Sequence, residues 1–345
     1  MVNRGHRVFA FAPEMTNKEF RILSHIGAEA YTLMPLTAAW DKYRRLRDLA
    51  SIFRDIDPHV ALIQSCHKSA VSLAAAKMAR VPHVVTVVPS LGPSFMEGAS
   101  PKAWANRQTM KGVYRTMFHL SDTVLFHSAH DRAYARRFKL ISEEKPHLAT
   151  GGWGEDLRRI VQRPLPPLDR GILFLMVAPL DYHEGILDYC EAAKLVRQKS
   201  RSARFFLATA EGEAVAPLPV AELKRYREHV QYIGPLEDPA SVLAKCHVVV
   251  APSHGNGIPQ ALRLALALGR PAITTDTRSC RDLVQHGLNG FRAPVRNPQA
   301  LSRAMIQMLQ RPDTIPLMAE ESRRLALQFL DLDAVNTLVL EAMGL

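Results

Sequence analysis

Short apolar runs recur along the chain, separated by longer stretches whose apolar residues return at helical spacing. In the first half the runs are Val8–Ala12, Val60–Ser65, His83–Val88 and Thr123–His127. In the second they are Ile172–Ala178, Phe205–Ala208, Val230–Ile233, Val248–Pro252 and Ala272–Thr275. Several are unbroken rather than alternating, the pattern of strands covered on both faces. Periodic stretches such as Glu191–Gln198, Pro259–Leu268 and Pro298–Leu309 predict helices between them. Thr16-x-x-Glu19 has the spacing of a capping box that opens the first helix. Strands and helices in alternation predict parallel α/β architecture.

The alternation pauses at Gly151–Arg170, where two successive glycines and Pro164, Pro166 and Pro167 disfavour regular pairing. The expected organisation is therefore two Rossmann-like domains, 1–150 and 171–330, joined by a linker at 151–170. A terminal helix within 331–345 is expected to return to the first domain. The ligand site is expected in the cleft, where strand carboxyl ends and helix N-termini converge. One element is missing. A doubly wound domain opens with a strand, a glycine-rich turn and a helix, whereas Val2-Asn3-Arg4-Gly5-His6 reads as the end of that helix. The absent strand is the central one, so its two neighbours are expected to have unpaired edges. The expectation from sequence is that the true start lies upstream.

Composition sharpens this picture. The 345 residues are 47% hydrophobic and 22% charged, a globular balance that excludes disorder as the dominant state. The start lacks a signal peptide's apolar core, and no uncharged apolar stretch is long enough to span a bilayer. Cys66, Cys190, Cys246 and Cys280 lie far apart without metal-ligand spacing, and the chain reads as cytoplasmic and reduced. The formal net charge is +11. Residues 1–165 hold 24 Lys and Arg against 14 Asp and Glu, a net of +10, so the excess sits in the first half. That asymmetry points to an anionic partner or to a solvated basic surface.

Several motifs carry a resemblance: Val230-Gln231-Tyr232-Ile233-Gly234, Val248-Val249-Val250-Ala251-Pro252-Ser253, Gly269-Arg270-Pro271-Ala272-Ile273-Thr274-Thr275-Asp276, Cys280-Arg281-Asp282-Leu283-Val284 and Gly287-Leu288-Asn289-Gly290-Phe291. With these, the chain from about residue 172 resembles the retaining GT-B glycosyltransferases of family 4, also called group 1. Arg4-Gly5-His6-Arg7-Val8 and Val124-Leu125-Phe126-His127-Ser128 extend the resemblance, more loosely, into the first half. It implies two Rossmann-like domains facing across a cleft, with a nucleotide-diphosphate sugar as donor substrate and no bound metal or other cofactor.

The catalytic positions depart from the family. Active members carry two glutamates eight positions apart, one on the donor sugar and one on the nucleoside ribose; those positions here are Asn256 and Leu264. The family's arginine and lysine, which neutralise the departing diphosphate, fall on Pro179 and Glu184. Preorganised cations stabilise a leaving diphosphate, and losing one costs roughly 3 kcal/mol, about a hundredfold in rate. The catalytic residues are thus unknown from sequence.

What remains is Gly255-Asn256-Gly257-Ile258-Pro259 before a predicted helix, whose free N–H groups and dipole favour an anion. Ser253, His254, Asn256, Gly257 and Ile258 are the candidate donor-binding residues; the same stretch also reads as a glycine-rich strand-to-helix turn. His183, His254, Arg278 and Arg281 are cations expected near the cleft rim, and His67-Lys68 falls where the family contacts acceptors.

Two stretches concentrate the basic charge. Trp40–Asp55 reads as a helix packed on the sheet. In Ala103–Leu120, Arg107, Lys111 and Arg115 follow at steps of four, opposite Met110, Val113, Tyr114, Met117 and Phe118. Such a helix can lie on anionic lipid headgroups, and Arg132, Arg136, Arg137 and Lys139 extend the same patch. No nucleic-acid-reading motif is present. The resemblance implies transfer of a sugar to a lipid-linked or polysaccharide acceptor at the inner face of a membrane. The alternative is a catalytically inactive relative acting as a scaffold or regulatory partner.

Overall fold

The computed structural model describes residues 1–2, 5–12, 15, 17–32, 39–64, 70–95, 101–210, 214, 216–255 and 257–345. Thr16, Cys66, His67, Lys68 and Asn256, all singled out above, lie outside the described residues.

The N-terminal part contains α1 (Asn17–His25), α2 (Ala39–Ile56), α3 (Ala70–Met78), α4 (Pro101–Leu120) and α5 (Ala129–Arg137). Its strands fall in two parallel sheets. β1 (Phe9–Ala12) pairs with β2 (Glu29–Thr32), while β3 (Val60–Gln64), β4 (His83–Val88), β5 (Thr123–Phe126) and β6 (His147–Ala149) form a second sheet in that order. Among the described residues β1 and β3 do not pair, and β1-β2 and β3-β4-β5-β6 are two separate parallel sheets. The small sheet is held by side chains instead: the Phe11 ring stacks on Tyr31 at 5.2 Å and meets the edge of Phe53 on α2 at 6.4 Å. Leu49 and Ala50 of α2 in turn bury against Ala75 of α3.

The second part is a six-stranded parallel sheet ordered β12-β11-β10-β7-β8-β9. Its strands are β7 (Leu173–Ala178), β8 (Arg204–Thr209), β9 (Gln231–Pro235), β10 (Val248–Ala251), β11 (Ala272–Thr275) and β12 (Gly290–Ala293). Helices α6 (Ile186–Arg197), α7 (Pro239–Leu243), α8 (Gln260–Ala267), α9 (Arg278–Arg281), α10 (Pro298–Gln310) and α11 (Thr314–Phe329) accompany them. Both faces are covered, which explains the unbroken apolar runs. Phe174, Met176, Val248 and Val250 enter one core with α6 and α10, while Leu175, Val177, Val249 and Ala251 enter the other with α8 and α11. The strand order reverses between β7 and β10, and a ligand crevice is expected beyond their carboxyl ends.

Two chain segments cross between the parts side by side. Glu155 N–H donates to the Leu330 carbonyl at 2.7 Å, and Leu332 N–H donates to the Glu155 carbonyl at 3.2 Å. Gly154 makes this approach possible: at φ 78° a Cβ would stand 2.8 Å from Leu332 Cα. Beyond the crossing, α12 (Leu332–Met343) lies on the N-terminal sheet, packing Val335, Val339 and Met343 against Val85, Val87 and Leu125. The proline-rich stretch is anchored to the second part. The Arg270 guanidinium, 1% exposed, donates to the carbonyls of Arg163, Pro164 and Ala244, and burial lowers its pKa. His247 accepts from Leu173 N–H through Nδ1, so its Nε2 donates to the Pro166 carbonyl.

Candidate functional site

The site forms where the carboxyl ends of β7, β10 and β11 face those of β4 and β5. Its floor is the turn leaving β10. Thr274 Oγ1 donates to the Ala251 carbonyl at 2.7 Å and Thr275 Oγ1 to the Ser253 carbonyl, so β11 fixes the path of Ala251–Ser253. The chain then enters α8 at Pro259, whose fixed φ suits a helix start and whose own side chain makes no capping hydrogen bond. This helix start follows the carboxyl end of β10, at the topological switch point of the sheet. Ser253, His254, Gly257 and Ile258 all lie in this turn. Ser253 and Gly257 are buried and His254 and Ile258 are half-buried.

A second turn, from β7 into α6, packs against the first. Asp181, buried, accepts from His183 N–H at 2.6 Å and Ala216 N–H at 2.7 Å, and its Oδ1 lies 3.0 Å from His183 Nδ1. Gly185 at φ 75° lets α6 start against the β10 turn, since a Cβ there would lie 2.1 Å from the Pro252 carbonyl oxygen. The turns are joined twice. His254 N–H donates to the His183 carbonyl at 2.7 Å, and His254 Nε2 donates to Asp188 Oδ2 on α6 at 2.8 Å. Glu184 stands among these groups, on the position where the resemblance places a lysine. Burial, reinforced by Asp181, pushes its carboxyl above the usual glutamate range, while His254 and His183 partly offset this.

The facing wall belongs to the N-terminal part. Ser90 Oγ reaches the Gly255 carbonyl at 3.4 Å, beside the C-terminal end of β4. Next to it a charged lock closes one end of the cleft. Arg278 Nε donates to Asp131 Oδ1 at 2.6 Å and Nη1 to the Phe95 carbonyl at 3.0 Å, with the guanidinium over the Tyr134 ring. In the opposite sense, Asp282 accepts from Ala129 N–H at 2.9 Å and His130 Nδ1 at 2.5 Å. At the crossing, Arg263 of α8 pairs with Glu155 at 2.8 Å. His127, 7% exposed, sets its ring edge-on to Trp153, and its buried Nε2 has no hydrogen-bond partner among the described residues. Burial first and Arg263 second lower its pKa to about 4.

The rim cations expected from sequence are thus engaged. Arg278 is held by Asp131, and Arg281 pairs with Asp276 at 2.9 Å. Each of these two guanidinium groups thus already has a carboxylate partner. Asp188 and Asp131 were not singled out in the sequence, and Asp282 and His127 were named there only within motifs that carry the resemblance; Asp188, Asp131 and Asp282 each act on a partner far away in the chain. On α4, Arg115 donates to the carbonyls of Lys139 and Phe138 at 3.1 and 3.2 Å, and the Lys111 ammonium sits 4.6 Å from the centre of the Phe138 ring. The basic stripe therefore caps the end of α5 as well as facing outward. Arg107 is half-buried.

Comparison with known proteins agrees with this architecture. One family model, Glycosyl transferase 4-like domain, matches residues 1–149, and a second, Glycosyl transferases group 1, matches 171–311. The chain belongs to the group 1 glycosyltransferases. A family relative is the N,N'-diacetylbacillosaminyl-diphospho-undecaprenol alpha-1,3-N-acetylgalactosaminyltransferase of Campylobacter jejuni, 24% identical over 294 residues, which span 81% of this chain and 76% of that one. Among solved structures, a glycosyltransferase from Rickettsia africae superposes with a TM-score of 0.72 at 13% identity, covering 99% of this chain and 90% of the other. HepE of Anabaena in complex with UDP also gives 0.72, at 16% identity, covering 97% and 91%. The fold is GT-B, two Rossmann-like domains facing across a cleft. Among the described residues no helix is long and apolar enough to cross a membrane.

Proposed function

We propose that this protein transfers a sugar from a nucleotide-diphosphate donor to a lipid-linked or polysaccharide acceptor. The N-terminus of α8, at the switch point of the second sheet, carries the reading. It offers an anion N–H donors and the positive end of a helix dipole. The donor diphosphate would rest there, with Ser253, His254, Gly257 and Ile258 around it. The lipid-linked acceptor named for the Campylobacter jejuni relative supports an acceptor of that kind. Work at the cytoplasmic face of a membrane would use α4, where the exposed Trp104 and the cations Arg107, Lys111 and Arg115 suit an anionic headgroup layer.

A second reading rests on the electrostatics of the same turn. Pro179 and Glu184 occupy positions that hold cations in active relatives, and Arg278, Arg281 and His254 are all hydrogen-bonded to carboxylates. A protein so arranged could keep the fold and the partners while transferring nothing. The readings separate in a transfer assay with a panel of radiolabelled nucleotide sugars and a membrane lipid extract. Label in the lipid or polymer fraction, from one donor, supports the enzyme. Folded protein that transfers from none of the panel favours the scaffold.

A further inference from the structure

The geometry points to a second anion-binding site, at the pole of the C-terminal domain opposite the cleft. The strands of that sheet are parallel, so their amino ends lie away from the β7 and β10 turns. There, between the end of α6, the start of β8 and the 3-10 helix Val220–Tyr226, lies an open cavity of about 840 Å³. That volume is in the range of small-molecule pockets. Arg197, Arg201, Arg204, Lys224 and Arg227 line it, against one carboxylate, Glu228.

None of the five cations forms a salt bridge among the described residues, although most charged side chains in the donor cleft are paired. Arg197 alone donates to a local carbonyl, that of Ala203 at 3.2 Å. The remaining four are exposed. The C-terminal half carries 20 basic and 19 acidic residues, so this cluster is a local separation of charge and not the overflow of a basic domain. Five like charges around one depression repel each other unless a counter-charge sits among them. The floor differs: Leu223, Tyr226 and Val230 are buried there, giving an apolar base beneath a cationic rim. A phosphate or diphosphate ester with an apolar body matches both parts, the arginines forking onto phosphoryl oxygens and the body resting on the floor. The ester could be free in solution or the headgroup of an anionic lipid. Because the cavity shares no residue with the β10–α8 turn, the inference stands apart from the proposed donor site.

Hydrogen–deuterium exchange of the full chain tests it, with millimolar inorganic pyrophosphate in one arm and phosphatidylglycerol vesicles in the other. Phosphatidylcholine vesicles serve as the blank. Protection of 197–204 and 224–231 by pyrophosphate assigns the site to a soluble phosphate; protection by anionic vesicles alone assigns it to a lipid headgroup. The double variant Arg204→Glu, Arg227→Glu changes two exposed side chains and leaves the core intact. It should bind the effective probe roughly tenfold or more weakly. No protection of these segments in either arm, or equal binding by the variant, overturns the inference.

Discussion

Burial opposes the ionisation of both His127 and Glu184 in the folded protein. His127 titrates near 4 in the folded protein and near its ordinary value when unfolded, so the unfolded chain takes up the proton first. Stability should be unaffected above about pH 7 and fall as pH drops through the unfolded value towards 4, by roughly 3 kcal/mol in full. Urea denaturation of wild type and His127→Phe across that range checks this: the variant should lose less stability on acidification. Glu184 works in the other direction. Its folded pKa is raised, so the folded state favours the proton, and its penalty appears as pH rises from the unfolded value through the folded one. Glu184→Gln should therefore match or trail wild type at acidic pH and exceed it at neutral pH, in paired chemical denaturation. A third residue, Arg278, is tied to Asp131, which is 1% exposed. Arg278→Met would leave that carboxylate buried without its cation, at a cost of about 3 kcal/mol, visible as a lowered denaturation midpoint.

At the scale of elements, nine strands were legible as short apolar runs, several of them unbroken because both faces of the sheet are covered. β2, β6 and β12 were missed for physical reasons. Glu29–Thr32 is largely exposed and polar at a sheet edge, His147–Ala149 is three residues long, and Gly290–Ala293 starts on a glycine and contains Arg292. The turn at Ser253–Pro259 was readable from its glycines and proline. The cluster behind it was not, because Asp188 and His254 are 66 residues apart and only the α6–β10 packing joins them. That packing depends on Gly185. Replacing it by alanine would both strain a left-handed residue and drive a methyl into the Pro252 carbonyl. Gly185→Ala should destabilise the fold by more than about 1 kcal/mol and weaken any ligand held by the β10 turn, as thermal melting with and without ligand would report.

For the whole molecule, the charge asymmetry seen in the sequence becomes a division of labour. Basic side chains of α4 and α5 gather on the N-terminal part, while cross-domain pairs of opposite sign, Arg278 with Asp131 and His130 with Asp282, hold the two parts together. The crossing at Glu155 and Leu330–Leu332, with α12 on the N-terminal sheet, adds a second tie. The proposed donor site is bordered by residues of both parts, so a ligand there should stabilise both domains together. The most direct test is the melting temperature of purified protein against a panel of nucleotide sugars and free nucleoside diphosphates. A ligand at about a thousand times its dissociation constant should add roughly 4 kcal/mol and raise the melting temperature by several degrees. The account predicts such a shift for one nucleotide sugar and its parent diphosphate, reduced in Gly185→Ala. A cooperative melt that no nucleotide moves would contradict it.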